Sequence, residues 1–338
     1  MIRKSINKKR FLTWLATQSA LVSLLFLSSA SGFEITDVME SRTAFSSLDT
    51  KAKLAHASSG EFSVLTYNIA GLPEIISSAK TKRAPSIAEI GRRLNAFDIV
   101  HVQEDFNYNR QLYQSGNLHP FRTATKGGVP FGDGLNTLSK YPVHEVRRIS
   151  WNHCTGADCL TPKGFTYSRL EIAKNIFVDL YNVHANAYNH LQAAEARRNN
   201  IKQLSEFIRE NSRGQAVIIM GDLNAHYSYY YDNVHQLLSD NDLKDAWLVL
   251  MNHEHLPQPV KELPDGKILK INSNSESIDK ILFRGNDQIA LYISKYNLES
   301  ELFQNDKGTP LSDHHPVSLK FSWKLLDKKA LESRLAAK

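Results

Sequence analysis

The stretch Ile218-Ile219-Met220-Gly221-Asp222-Leu223-Asn224-Ala225-His226, IIMGDLNAH, runs three apolar residues into a glycine and then offers a carboxylate and an amide one residue apart. A buried strand ending this way delivers two polar groups to the edge of a core, where they need partners or solvent. Strand alternation puts Asp222 and Asn224 on one side and packs Leu223 inward. The pair is therefore expected to open on a cavity.

Five further segments place the same residue types at a strand terminus. LTYNIAG ends on Asn68, VHVQEDF on Glu104 and LYNVHAN on His184; ESIDKIL carries Asp279, and PLSDHHPV opens with Asp313 and His314. One such residue alone reads as a cap or a turn. Six strand ends together point to convergence on one mouth. The set holds carboxylates, amides and histidines but no cysteine or multi-histidine cluster, which suits a hard divalent cation such as Mg²⁺ or Mn²⁺. Histidines beside such an ion serve to stabilise a phosphoryl oxygen and to move protons.

Around these ends the pattern alternates between strands and helices. Strands are expected at FSVLTYNIAG from Phe62, at DIVHVQED, and on both sides of a Tyr-Pro turn in GLNTLSKYPVHEVRRI. FTYSRLEI and IFVDLYNVHA read as a strand pair, followed later by QAVIIMGD, SIDKILFRG and PVSLKFSW. APSIAEIGRRLNAF reads as a helix with Pro85 near its start and Ile87, Ile90 and Leu94 on one face. HLQAAEARRNNIKQLSEFIRENSRG is the clearest helix, with Leu191, Ala194, Ile201, Leu204 and Ile208 inward and Gly214 as its stop. Residues 227–277 are mixed. The expectation is an α+β domain of packed sheets with helices outside.

The 338 residues suffice for a large core. The basic MIRKSINKKR, the apolar FLTWLATQSALVSLLFL and the small SSASG form the pattern of a secretory signal peptide over residues 1–32, implying a secreted or periplasmic protein. A leader segment is expected over 33–60, a catalytic domain over 61–323 and a basic tail over 324–338. The formal charge of +6 comes mostly from Arg3, Lys4, Lys8, Lys9 and Arg10; the remainder has 36 basic against 35 acidic residues. That balance argues against a polyanion-binding groove. Both cysteines lie in HCTGADC, and an oxidising compartment favours a local Cys154–Cys159 disulfide over two free thiols.

Taken in order, TYNI, VQED, GDGLNTLSKYPV, NVHA, GDLN, SIDKIL and SDHHPV resemble the endonuclease/exonuclease/phosphatase superfamily, the DNase I-like fold, over Phe62 to Trp323. The resemblance implies a four-layered α/β/β/α sandwich. It implies Glu104 as the main metal ligand with Asn68 beside it and Asp313 at or behind the metal site. Asp222 would orient or activate the attacking water, and Asn224 would hold a phosphate oxygen. His184 would bind the phosphate, and His314 would act as base or phosphate-binding imidazole, its tautomer fixed by Asp279. The implied reaction is in-line attack of water on a phosphate ester.

NHCTGADCLTPKGFTYSRLEI narrows the substrate. Asp158, Lys163 and Gly164 look like the Asp-x-x-x-x-Lys-Gly segment of neutral and bacterial sphingomyelinases, which lies beside the active site in that family. Nuclease relatives usually carry a carboxylate two residues after the first Asn, where this chain has Ala70. The tyrosines of HYSYYYDN suit a lipid–water interface or a plain packing role. The expectation is a monomeric sphingomyelinase or phospholipase C-type enzyme acting on a lipid at a membrane surface. The alternatives are a secreted DNase I-like endonuclease and an inositol-phosphate phosphatase, which would need a basic pocket from Lys126, Lys163 and Arg169.

Overall fold

The computed structural model describes residues 54–262 and 272–327. The expected signal peptide, most of the leader and residues 328–338 of the tail lie outside the described residues. Strand β1 spans Ser59–Asn68 and β12 spans Val317–Leu325, so the folded unit reaches slightly past both expected boundaries.

Two six-stranded sheets carry the fold. The first takes β1 with β2 (Ile99–Gln103), β3 (Phe121–Arg122), β4 (Asn136–Ser139), β11 (Ile289–Leu298) and β12, in the order β11-β12-β1-β2-β4-β3. The second takes β5 (Val143–Ser150), β6 (Gly164–Ala173), β7 (Ile176–His184), β8 (Val217–Asp222), β9 (Lys244–Asp245) and β10 (Asp279–Arg284), in the order β5-β6-β7-β8-β10-β9. Each sheet has one parallel pair at its heart, β1 with β2 and β7 with β8. Helix α1 (Arg83–Arg93) crosses over between the first pair and α3 (Leu191–Asn211) between the second. Short helices α2 (Asn109–Gln114), α4 (Val234–Asp240) and α5 (Ala246–Met251) complete the described set.

Alternation along β1 sorts its side chains between two layers. Leu65, Tyr67 and Ile69 pack with Ile87, Ile90 and Leu94 of the α1 region. Phe62 and Val64 join the core shared with the second sheet. On the other outer face, Phe207 of α3 sets its ring 5.1 Å from Phe165 and 6.1 Å from Tyr181. Each large apolar side chain removed from water in these layers contributes about 1.5–3 kcal/mol. Helices outside and sheets face to face give the four-layered sandwich that the sequence implies.

The two strands around the Tyr-Pro turn do not pair. β4 belongs to the first sheet and β5 to the second, so Tyr141-Pro142 is where the chain changes layer. Leu191, expected inward, is 57% exposed because it opens α3 ahead of the first buried turn at Ala193 and Ala194. Strand β11 was not expected. It is an edge strand with few buried residues and a register shift between Ser294 and Asn297 that breaks its alternation.

Polar side chains stitch the sheets together below the mouth. Gln103 Nε2 donates to Asn182 Oδ1 at 2.7 Å, and Asn182 Nδ2 donates to the carbonyls of Val102 and Asn136, each at 3.0 Å. These bonds fix how the two sets of strand ends face each other.

Candidate active site

β1, β2, β7 and β8 all point their C-terminal ends the same way within their sheets, while β10 and β12 run antiparallel to β8 and β1 and begin there. The register sets His184, Asp222 and Asp279 side by side across three adjacent strands. Asn68 closes β1, Glu104 follows β2, and Asp313 and His314 precede β12.

Asn68 sits at the centre. Its Nδ2 donates to Asp222 Oδ2 at 3.1 Å and to Glu104 Oε1 at 3.2 Å, and stands 3.4 Å from His314 Nε2. His314 Nδ1 meets Asp279 Oδ2 at 3.0 Å, and its Nε2 lies 3.6 Å from Asp222 Oδ2. His184 Nε2 lies 3.5 Å from the same Asp222 oxygen. Asp222 is therefore shared by an amide and two imidazoles, and these four residues come from four different strand ends.

Burial governs the protonation of these groups. It pushes the Glu104 carboxyl up, with the nearby Lys163 charge opposing it. It pushes Asp222 up to about 6 against the pull of His314. Burial alone would lower His314, but the Asp279 and Asp222 carboxylates outweigh it and hold the imidazolium well above its ordinary range. His184 goes the other way, driven down by burial and then by Lys163, and so is neutral. Its Nδ1 is buried with no hydrogen-bond partner.

The strand ends hold unusual backbone. Ala70, Glu104 and Asn224 all have φ near +50°: 49°, 56° and 49°. Such a conformation at a non-glycine residue costs about 1–3 kcal/mol and persists where the surroundings impose it. It also revises the alternation argument. Leu223 is buried as expected, but Asn224 reaches the site through a turn, its N–H donating to Asp222 Oδ1 at 2.9 Å and its Nδ2 to the Ala185 carbonyl at 3.1 Å. Gly71 makes room for the Glu104 turn, since a Cβ there would stand 2.2 Å from the Glu104 carbonyl oxygen.

Sequence reasoning passed over three residues that hold this geometry. Arg83 is fully buried and bonds backbone carbonyls: Ile69 at 2.9 Å, Ala70 at 3.0 Å and Leu311 at 2.9 Å from two nitrogens. It thereby ties the loop after Asn68 to the loop before Asp313. Ser312 Oγ donates to the Asn68 carbonyl at 2.7 Å, and Trp151 Nε1 donates to the His184 carbonyl at 2.7 Å. Ser312 lies inside SDHHPV and was legible there; a single Arg at a helix start carries no sequence mark of burial.

The Asp158–Lys163 segment borders the cluster. Lys163 Nζ meets Asp158 Oδ1 at 2.7 Å, and the other Asp158 oxygen accepts from the Ala187 N–H at 2.5 Å. Thr155 N–H donates to Asn186 Oδ1 at 2.8 Å. The loop, closed by the Cys154–Cys159 disulfide, is thus clamped to the segment just after His184. Arg169 is placed elsewhere. It faces Asp179 at 3.2 Å within the second sheet, five strand residues from His184, roughly 17 Å along the strand. The reason is register, which pairs Arg169 with Asp179 and leaves it no reach to the mouth.

The donor set fits a divalent cation. Glu104 and Asp222 meet at Asn68, Asp279 joins them through His314, and Asp313 lies near enough for its charge to act on Glu104 and His314; against them stand the His314 imidazolium and Lys163, which is already paired. Asp222, Asp279 and His314 present ligand atoms all within 4.8 Å of one another, and Asp279 Oδ1 is buried without a partner. Asn68 fits less directly than expected. Its Oδ1 accepts from the Ala70 N–H at 3.1 Å, which turns the NH₂ rather than the oxygen toward the carboxylates.

Comparison with known proteins agrees with this geometry. Residues 134–265 match the sequence profile described as Endonuclease/Exonuclease/phosphatase family 2. A sphingomyelinase of Mycobacterium tuberculosis is 40% identical over 272 residues, covering 78% of this chain and 53% of the relative. The chain thus spans about half the length of the curated relative. Sphingomyelinase C from Streptomyces griseocarneus superposes with a TM-score of 0.52 at 19% identity, covering 77% of this chain and 99% of that one. A Staphylococcus aureus beta toxin mutant with bound magnesium ions gives a TM-score of 0.53 at 16% identity, covering 77% and 99%. Profile match, sheet order and the meeting of polar strand ends coincide, and in all three the chain is similar to the endonuclease/exonuclease/phosphatase family.

Proposed function

We propose that this protein is a divalent-cation-dependent phosphodiesterase of sphingomyelinase type, cleaving the bond between phosphate and ceramide. The observation that carries the reading is the shared Asp222, contacted by Asn68, His184 and His314 and bordered by Lys163 of the Asp-x-x-x-x-Lys-Gly loop. The 40% identity to a mycobacterial sphingomyelinase supports the lipid substrate.

Each residue has a task in this reading. Asp222 takes a proton from the attacking water as the new bond to phosphorus forms. His314, charged and aligned by Asp279, donates toward the phosphate oxygens and protonates the departing ceramide oxygen as its bond to phosphorus breaks. Neutral His184 and the amide of Asn224 orient the ester, and Lys163 draws its negative charge to this side. A bound magnesium or similar ion, held by Glu104 and the neighbouring carboxylates, would supply Lewis-acid stabilisation of the phosphoryl oxygens. Export is part of the proposal, supported by the pattern of residues 1–32 and the disulfide in the substrate loop.

The test is a substrate panel of sphingomyelin, phosphatidylcholine, phosphoinositides and plasmid DNA, each with Mg²⁺ and with EDTA. Phosphocholine release from sphingomyelin, lost on chelation, is the expected result. Activity confined to DNA would overturn the lipid assignment.

A further inference from the structure

Glu104 keeps its place in the cluster from an unfavourable backbone position, with φ at 56°. Gly71 and Gly134 leave room for that turn. A Cβ on Gly71 would stand 2.2 Å from the Glu104 carbonyl oxygen, and one on Gly134 would stand 3.0 Å from the Glu104 Cα. Room alone does not keep a glutamate there; bonds from the surroundings must impose it. Backbone bonds begin the work. The Asp105 N–H donates to the Gly134 carbonyl at 3.0 Å, the Phe106 N–H to the Glu104 carbonyl at 2.9 Å, and the Asn107 N–H to the Gly71 carbonyl at 3.1 Å.

The side chain of Asp105 adds a stronger hold. Asp105 is 1% exposed. Its Oδ1 accepts from Asn109 Nδ2 at 2.6 Å, and its Oδ2 accepts from Asn136 Nδ2 at 2.7 Å and from the Tyr113 hydroxyl. Asn109 and Tyr113 belong to α2, and Asn136 opens β4, the strand that pairs with β2. One carboxylate thus ties the turn after β2 to the next helix and to the neighbouring strand. Its donors are themselves set in place. Asn136 Oδ1 accepts from Arg148 Nη2 at 2.8 Å and from Thr123 Oγ1 at 3.1 Å, which leaves the NH₂ of Asn136 to face Asp105. The Tyr113 ring lies under the Arg122 guanidinium, 4.5 Å from ring centre to carbon. A carboxylate accepts at both oxygens and so serves all these donors, whereas an amide there would turn an N–H toward one of them.

We propose that Asp105 is the positioning residue for Glu104, anchoring the turn so that the Glu104 carboxylate meets a divalent cation already oriented. The inference rests on the reading of Glu104 as a cation ligand. Adjacent in sequence, the two carboxylates part company: Glu104 meets Asn68 in the cluster at 3.2 Å, while Asp105 spends its oxygens on α2 and β4. Asp105 therefore acts through Glu104 and not on the cation or the ester. Its contribution is to order the ligand before the ion arrives, which otherwise weakens binding.

Mn²⁺ is the probe, since it takes oxygen donors as Mg²⁺ does and its spin resonance reports the free ion. The full chain is titrated well below its melting temperature. Asp105→Ala is expected to weaken Mn²⁺ binding by roughly tenfold to a hundredfold. Asp105→Asn and Tyr113→Phe disturb only part of the network, and each should weaken it by about two- to fivefold. Turnover of sphingomyelin should fall in the same order at limiting Mg²⁺ and recover as Mg²⁺ is raised. Asp179→Asn is the control for a plain loss of stability. Asp179 is also 1% exposed and is bonded by Ser212 Oγ at 2.6 Å and Arg169 Nε at 3.2 Å, but it lies in the second sheet away from the mouth. That variant should melt lower and keep the parent affinity for Mn²⁺. Parent affinity in Asp105→Ala would overturn the assignment; should that variant not fold, parent affinity in both Asp105→Asn and Tyr113→Phe would do so. An Asp179→Asn chain that loses as much affinity as Asp105→Asn would overturn it as well. Those results leave Glu104 as a ligand, whereas a parent chain that binds no Mn²⁺ removes the cation reading and this inference together.

Discussion

His314 illustrates how single residues acquire their roles from neighbours. Its Nδ1 is held by Asp279 at 3.0 Å, and that one contact fixes the ring orientation and favours the charged form. His314→Ala removes the proton donor, and kcat should fall by about 10²–10⁴-fold. Asp279→Asn keeps the shape and loses the charge, so a smaller fall of about 10–100-fold is expected. Rates from sphingomyelin vesicles check both, and an Asp279→Asn enzyme as slow as the alanine variant would mean that Asp279 acts on the ester directly. Arg83 has the opposite character, since its guanidinium bonds backbone carbonyls and so joins the two loops that carry Asn68 and Asp313. Arg83→Met leaves several buried carbonyls unpaired, each costing about 1–3 kcal/mol. Chemical denaturation should show a loss of about 3–5 kcal/mol. A loss under 1 kcal/mol would mean that water satisfies those carbonyls unaided.

At the scale of strands, the sheet interface carries a pH liability. His101 of β2 is 1% exposed, its Nδ1 lies 3.4 Å from the Met220 carbonyl of β8, and its Nε2 is unpartnered. Burial lowers its pKa from 6.5 to about 4. The folded form therefore resists a proton that the unfolded chain accepts. Its contribution is whole above pH 6.5 and is lost as pH falls from there toward 4, by at most about 1.4 kcal/mol per unit. Thermal melts from pH 7 to 4.5 should show the decline, and His101→Leu should flatten it. A slope that the substitution leaves unaltered would assign the acid sensitivity to other groups, the similarly lowered His119 first among them. The strands themselves were readable where they are buried, because β8 is an apolar run and β1, β2 and β7 carry recurrent buried apolar residues, each leading to a polar end. The polar strand ends converge at one mouth, Asn224 arriving there through a turn, whereas Arg169 lies within β6 and is held away by register. Edge strand β11 was not readable, since a bulged strand with few buried residues has little pattern to show. Nor was the layer change at Tyr141-Pro142, because a turn's sequence does not state which sheet the next strand joins. The positive φ at Glu104 was equally hidden, since it is imposed by Gly71, Gly134 and the fold around them rather than by local preference.

For the molecule as a whole, the consequence lies in where the cluster sits. Asn68, Glu104, Asp313 and His314 come from the first sheet and its loops; His184, Asp222, Asn224, Asp279 and Lys163 come from the second. A cation gripping ligands from both sheets binds only the folded arrangement, so its binding energy adds to folding stability. At a Mg²⁺ concentration a hundred times the dissociation constant that addition is about 2.7 kcal/mol. For a domain of this size it corresponds to a rise in Tm of about 5 °C or more. Calcium and manganese should act in the same direction with different strength, since both take oxygen donors. Glu104→Gln keeps the volume and removes one buried negative charge. That variant should melt at or above the parent in EDTA, where the uncompensated carboxylates repel, and should gain little from Mg²⁺. The comparison needs no substrate, so it separates the metal site from the identity of the lipid. A parent chain whose Tm ignores Mg²⁺ up to tens of millimolar would show that the carboxylates are balanced without a cation, and the metal-assisted route would have to be abandoned.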